Sequence, residues 1–136
     1  MKQLTLIFLA ILAMLTCGWA NLGDSSDRVD DAYGNLVQRS LRDDGTVSVL
    51  YHKDRYLYEV LFVNGRSVSE TYFNVRGTGL SEKEIMRFLK ANGGSWTPDN
   101  TGKERRFKRS DGNAEATYGT VKGRLALTVR EVPGKP

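Results

Sequence analysis

The chain contains one cysteine, Cys17, one histidine, His52, and three prolines, and each scarcity removes a class of function. One imidazole and one thiol cannot build the four-ligand nitrogen and sulfur set of a structural zinc site, and a lone cysteine leaves no disulfide within the chain. A serine triad would have to use His52 with Asp54, yet no serine sits in the Gly-x-Ser-x-Gly turn that exposes such a nucleophile. Gly77-Thr78-Gly79 has neither the length nor the lysine of a phosphate loop. Asp24, Asp27, Asp30 and Asp31 lack the spacing and the closing bidentate acid of a calcium loop, and read instead as caps and dipole partners of a helix. Long apolar runs are missing too. The longest, from Leu4 to Met14 and broken only by Thr5, falls short of the roughly 20 apolar residues that cross a hydrocarbon core. The residues point to no catalytic set, no metal site and no cofactor.

What is present begins with the first twenty residues. Lys2 supplies a positive start, the apolar run follows, and Gly18 and Ala20 place small residues at −3 and −1 of a cleavage site. This is the layout of a secretory signal, so the expectation is export to the periplasm or beyond, with a signal peptide at 1–20 cleaved after Ala20. Cys17 would then leave with the leader. Lipoprotein signals resemble one another in placing Gly or Ala before the acylated cysteine, and Thr16 departs from that pattern; lipidation at Cys17 is the alternative, and only it implies membrane contact. Removing Lys2 with the leader lowers the net charge from +4 to +3. An excess so small, with both signs mixed along the chain, does not argue for a nucleic-acid partner. Residues 21–132 suit one domain with a modest core, and 133–136 a frayed tail.

Periodicity divides that domain. Asp24 or Ser25 can cap a short helix over about 25–33, with Gly34 as its stop. Strand character follows over 46–51, 56–63 and 66–73, and Asn64-Gly65 suits a two-residue type I′ hairpin between the second and third of these. On the third, Val68, Glu70 and Tyr72 fall on one face. Ser81 with Glu84 forms a capping box opening a second helix, whose Ile85, Phe88 and Leu89 make an apolar stripe. Further strands are expected at 95–97, 104–109, 114–118 and 124–132, with 98–102 as a polar loop. The predicted class is α+β: an antiparallel sheet of about six strands with two helices packed on one face, in the order helix and three strands, twice.

Two groups of residues form a candidate binding surface. One comprises the tyrosines Tyr51, Tyr56, Tyr58 and Tyr72. The other is the basic segment 103–109, containing Arg105, Arg106, Lys108 and Arg109. In a strand Lys103, Arg105, Phe107 and Arg109 project to one face and Glu104, Arg106 and Lys108 to the other. Charge on both faces predicts an edge strand, where cations discourage aggregation; a basic stripe beside an aromatic could also hold an anionic ligand.

The spacing Gly23-x5-Val29-x4-Gly34 resembles the entry helix of the SmpA/OmlA (BamE-type) envelope proteins. That pattern has a proline soon after its second glycine, where this chain has Asn35-Leu36-Val37. The Gly23-Asp24 start, Tyr33-Gly34 and the Leu80-Ser81-Glu82-Lys83-Glu84 helix resemble a broad set of uncharacterised small exported bacterial proteins. The first resemblance implies helices beside a small antiparallel sheet that binds protein or contacts lipid; the second implies no activity. The functional expectation is therefore a non-enzymatic domain that binds a protein or envelope component. The alternatives are an inhibitor or a binder of anionic glycans or lipid headgroups using 103–109, and a hydrolase using His52.

Overall fold

The computed structural model describes residues 21–132; the segment 1–20 expected to be a signal peptide, with Cys17, and the tail expected to fray at 133–136 lie outside the described residues. Along the chain run α1 (Ser26–Tyr33), β1 (Leu36–Leu41), β2 (Val47–Lys53), β3 (Tyr56–Val63), β4 (Arg66–Asn74), α2 (Glu82–Ala91), β5 (Trp96–Asp99), β6 (Arg105–Arg109), β7 (Ala114–Val121) and β8 (Arg124–Glu131). The strands form one sheet in the order β1-β2-β3-β4-β8-β7-β6-β5, antiparallel throughout. Each half is a helix followed by a four-strand meander, and the halves join where the last strand of one, β4, pairs with the last strand of the other, β8.

This corrects the six-stranded expectation of two helices packed on one face, each followed by three strands. The described residues are dominated by a single eight-stranded sheet, 50% strand against 16% helix, and their two helices are short. The strand without a counterpart in the sequence reading is β1. All six of its residues are exposed, and a bulge falls between Leu36 and Gln38, so it carries neither an apolar stripe nor a clean alternation. The loop expected at 98–102 is in part strand, since β5 runs on through Pro98 to Asp99.

The local signals explain the rest. The Ser25 hydroxyl accepts from the Arg28 amide at the start of α1, and the Gly34 amide closes its end on Asp30. Ser81 and Glu84 form the reciprocal capping box of α2. Asn64 and Gly65 both take positive φ, 52° and 75°, between paired Val63 and Arg66, which is what a type I′ turn requires. Burial along β3 alternates from Tyr56 through Phe62. The core lies over that face: Val49, Tyr51, Tyr58, Val60, Tyr72, Phe107, Ala116, Leu127 and Val129 from strands, with Val29 and Tyr33 from α1 and Ile85, Phe88 and Leu89 from α2. Among the described residues no helix is long and apolar enough to cross a membrane.

Candidate functional site

The four candidate tyrosines are core residues, not surface. Tyr51, Tyr58 and Tyr72 are at most 1% exposed and Tyr56 7%. Their positions alternate along β2, β3 and β4 on the face that carries the core, so burial takes all of them together. Tyr58 stacks on Tyr33 with ring centroids 4.1 Å apart, and Tyr72 stacks on Phe88 at 4.3 Å. The phenol groups that reach the core margin find partners: Tyr51 donates to Asp30 and Tyr56 to Glu84. Burial, then the Glu84 hydrogen bond, pushes the Tyr56 phenol up to about 12; burial likewise raises Tyr51. These tyrosines hold α1 and α2 on the sheet.

Beneath α1 lies a polar cluster that the sequence reading did not single out. Glu70 is fully buried, and Tyr33 donates to its Oε1 at 2.8 Å while Ser67 lies 3.4 Å from Oε2. Ser67 was expected on the opposite face of β4. A register shift after Leu61 pairs Ser69 with Leu61 but Ser67 with Phe62, and this bulge turns Ser67 inward beside Glu70. Burial pushes the Glu70 carboxyl up to about 8, against hydrogen bonds from Tyr33, Ser67 and Tyr72 that favour its charge. Burial also raises the Tyr33 and Tyr72 phenols well above their ordinary range. Asn92, at the end of α2, donates to the Tyr72 hydroxyl at 2.9 Å and accepts from the Leu22 amide at 3.1 Å. The cluster thus ties the N-terminal segment, α1, β4 and α2 together. The one signal available beforehand was an acid among apolar positions, Val68-x-Glu70-x-Tyr72.

The basic segment is internally balanced. Arg105 makes a bidentate pair with Glu82 of α2 and lies 5.2 Å from the Phe107 ring centroid. Lys108 pairs with Asp99 at 3.4 Å, and Arg109 with Asp111 at 3.0 Å while also donating to the Asn92 carbonyl. Arg106 is half-buried on the opposite face from Phe107. Nor is β6 an edge, because β5 covers it. Three of the four candidate cations are therefore committed to acids of this chain. His52 approaches the backbone carbonyl of its own turn at Asp54, 3.0 Å away, not a hydroxyl. Among the described residues no group of three or more His, Cys, Asp or Glu could hold a metal ion.

Exposed features concentrate elsewhere. The true edges are β1 and β5, and they differ. β5 is four residues long and contains Pro98, the kind of device that blunts an edge. β1 is longer and lacks lysine and proline. Its one charge, Arg39, is drawn toward Asp30 at 3.9 Å, while Leu36, Val37 and Leu41 are 46%, 57% and 77% exposed. On the sheet face away from the core, Leu50, Leu57 and Phe73 line a shallow groove of about 200 Å³, rimmed by Arg124 and the Glu59–Lys122 pair.

No family model and no curated protein matches the chain. Two solved structures are similar in part. A cysteine-rich secretory protein from Staphylococcus aureus subsp. aureus Mu50 aligns over 81% of this chain and 44% of its own length, at 9% identity and a TM-score of 0.49; the chain thus spans less than half of that protein. A DUF4309 family protein from Bacillus subtilis subsp. subtilis strain 168 aligns over 80% of this chain and 79% of its own, at 14% identity and a TM-score of 0.44. Neither is a SmpA/OmlA-type protein by its description.

Proposed function

We propose that this is a non-catalytic binding domain, exported after removal of residues 1–20, that takes up an extended segment of a partner protein as an extra strand along β1. The observation that supports it is the contrast between the two edges. An exposed row of backbone amides and carbonyls is a template for another strand, and β1 keeps that row without the length limit or proline found at β5. Exposed Leu36, Val37 and Leu41 would give the added strand apolar side chains to cover, and main-chain hydrogen bonds would supply the affinity.

The test is site-specific photocrosslinking in the exporting cell, with the photoreactive residue at position 37 on β1 and, as a control, at position 97 on β5. The expected result is one defined adduct from position 37, none from 97, and loss of the adduct in a Val37→Lys/Leu41→Lys variant. Both positions are more than half exposed, so lysine there costs the fold little. Equal adducts from both edges, or an adduct that survives the double variant, would refute strand addition at β1.

A further inference from the structure

At one end of the molecule the β2–β3 turn meets the loop between β4 and α2. Two cavities adjoin there and share Arg55: one of about 600 Å³ reaching Lys83, Arg87 and the acids Asp54 and Glu84, the other of about 400 Å³ lined by Arg55, Arg76, Asn74 and Thr78. Four cations thus face two carboxylates. One of those, Glu84, is already engaged by the Tyr56 hydroxyl and the Ser81 amide. The second cavity has no acid in its lining.

The backbone that carries Arg55 and Arg76 is pinned. The Val75 amide donates to the Arg55 carbonyl at 2.8 Å, and the Asn74 side chain accepts from the Arg76 amide at 3.0 Å. Asp54 holds the turn with a φ of 57°. Among the described residues neither the Arg55 nor the Arg76 guanidinium enters an ion pair or hydrogen bond. Arg55 acts on Glu84 through charge alone, without the contact that Arg105 and Arg109 make with their acids. A guanidinium is a planar fork of donors matched to the oxygens of phosphate. Two such forks, carried on interlocked turns and lining one cavity with Asn74 and Thr78, form a receptor for adjacent oxyanions.

We infer that this end of the protein is a binding site for a phosphate-class polyanion, held by Arg55 and Arg76 across the two cavities, with Lys83 and Arg87 adding to the local positive field. The site is independent of β1 and of the basic segment 103–109. The same chemistry is offered by a free condensed phosphate and by a phosphate-bearing polymer of the envelope, and the two sources are separable by titration.

Calorimetric titration with inorganic tripolyphosphate, and in parallel with a glycerol-phosphate polymer, tests the inference on the chain after leader removal. Saturable binding of either probe, weakening as salt is raised, is the expected result; preference for one probe identifies the source. Arg55→Gln and Arg76→Gln should each weaken binding about tenfold, as loss of one charge-assisted contact implies, and Arg55→Lys/Arg76→Lys should recover part of it. Arg105→Gln and the β1 variant Val37→Lys/Leu41→Lys should bind as the unaltered chain does, so failure of strand addition and failure of this site are told apart. Both arginines are exposed, and an unchanged melting curve verifies folding of each variant. No binding of either probe, or binding that the Arg55→Gln/Arg76→Gln pair leaves intact, overturns the inference.

Discussion

Glu70→Gln should make the protein more stable, and increasingly so as pH rises. The Glu70 carboxyl has no exposed surface, and its burial raises it from 4.5 to about 8. A group whose folded value lies above its unfolded one binds its proton more tightly in the folded state. Its contribution is therefore complete below about pH 4.5 and is lost as pH climbs through 8. The slope over that interval is ~1.4 kcal/mol per pH unit, a ceiling of about 5 kcal/mol. Local opening of α1 would admit water to the carboxylate before the whole cost is reached, so a loss of about 3 kcal/mol by pH 8 is expected. Glutamine is the neutral isostere: it can still accept from the Tyr33 hydroxyl and can donate to Ser67, and it has nothing to ionise. Urea unfolding at pH 5, 6, 7 and 8 should show the unaltered chain losing stability with pH while Glu70→Gln stays nearly level, the two converging at pH 5. Parallel profiles would refute the assignment of Glu70 as a neutral buried acid.

Asn92→Ala should cost about 2 kcal/mol in the same assay, because it removes the donor to the buried Tyr72 hydroxyl and leaves the Leu22 amide without its acceptor. Arg105→Gln should cost no more than about 1 kcal/mol, since its pair with Glu82 lies at the surface and surface pairs contribute little; a larger loss in thermal unfolding would show that the pair organises α2. The adduct pattern at positions 37 and 97 and the tripolyphosphate titrations described above are the two functional predictions. A Val37→Lys/Leu41→Lys variant should lose the first, and Arg55→Gln/Arg76→Gln the second, each without effect on the other.

What could be read from the residues follows from how local each signal is. The start of the second helix, the Asn64-Gly65 hairpin and the extent of β3 depend on neighbours within a few positions, and the structure has them where the pattern put them. β1 was illegible for the opposite reason. An edge strand with every side chain exposed is under no demand to alternate, and its bulge erases what period remained. Pro98 suggested a loop, yet an edge strand tolerates proline because one side of its backbone needs no ladder. The sequence marked Tyr51, Tyr56, Tyr58 and Tyr72 as a candidate surface, but not that they would be buried. Their concealment depends on α1 and α2, and on Asp30, Glu84 and Asn92, which lie 20 or more residues away in the chain. The same distance hid the neutralisation of Arg105 by Glu82, and with it the misreading of 103–109 as the charged surface.

The division of labour between the two sides of the sheet follows from these placements. The face that carries the core spends its large side chains on stability: stacked Tyr33, Tyr58, Tyr72 and Phe88, with Glu70 and Asn92 satisfied inside. Residues so engaged cannot also meet a partner without exposing unpaired polar groups, which costs more than most contacts return. The proposed recognition is thereby confined to the periphery, where backbone and side chains remain uncommitted. Two places meet that condition for different reasons. The β1 edge has unpaired main-chain groups beside exposed leucine and valine, suited to a polypeptide. The turn end has arginines without a contact ion pair on a hydrogen-bonded backbone, suited to oxyanions. The two halves of the molecule share one order of elements, helix then four strands, yet only the first half leaves its outer strand open, because the second closes its own with Pro98 at β5. A repeated order of elements with one edge blunted by proline and the other free of it is asymmetric where binding is concerned, and that asymmetry is why a single partner strand, and not a chain of copies joined edge to edge, is the expected occupant of β1.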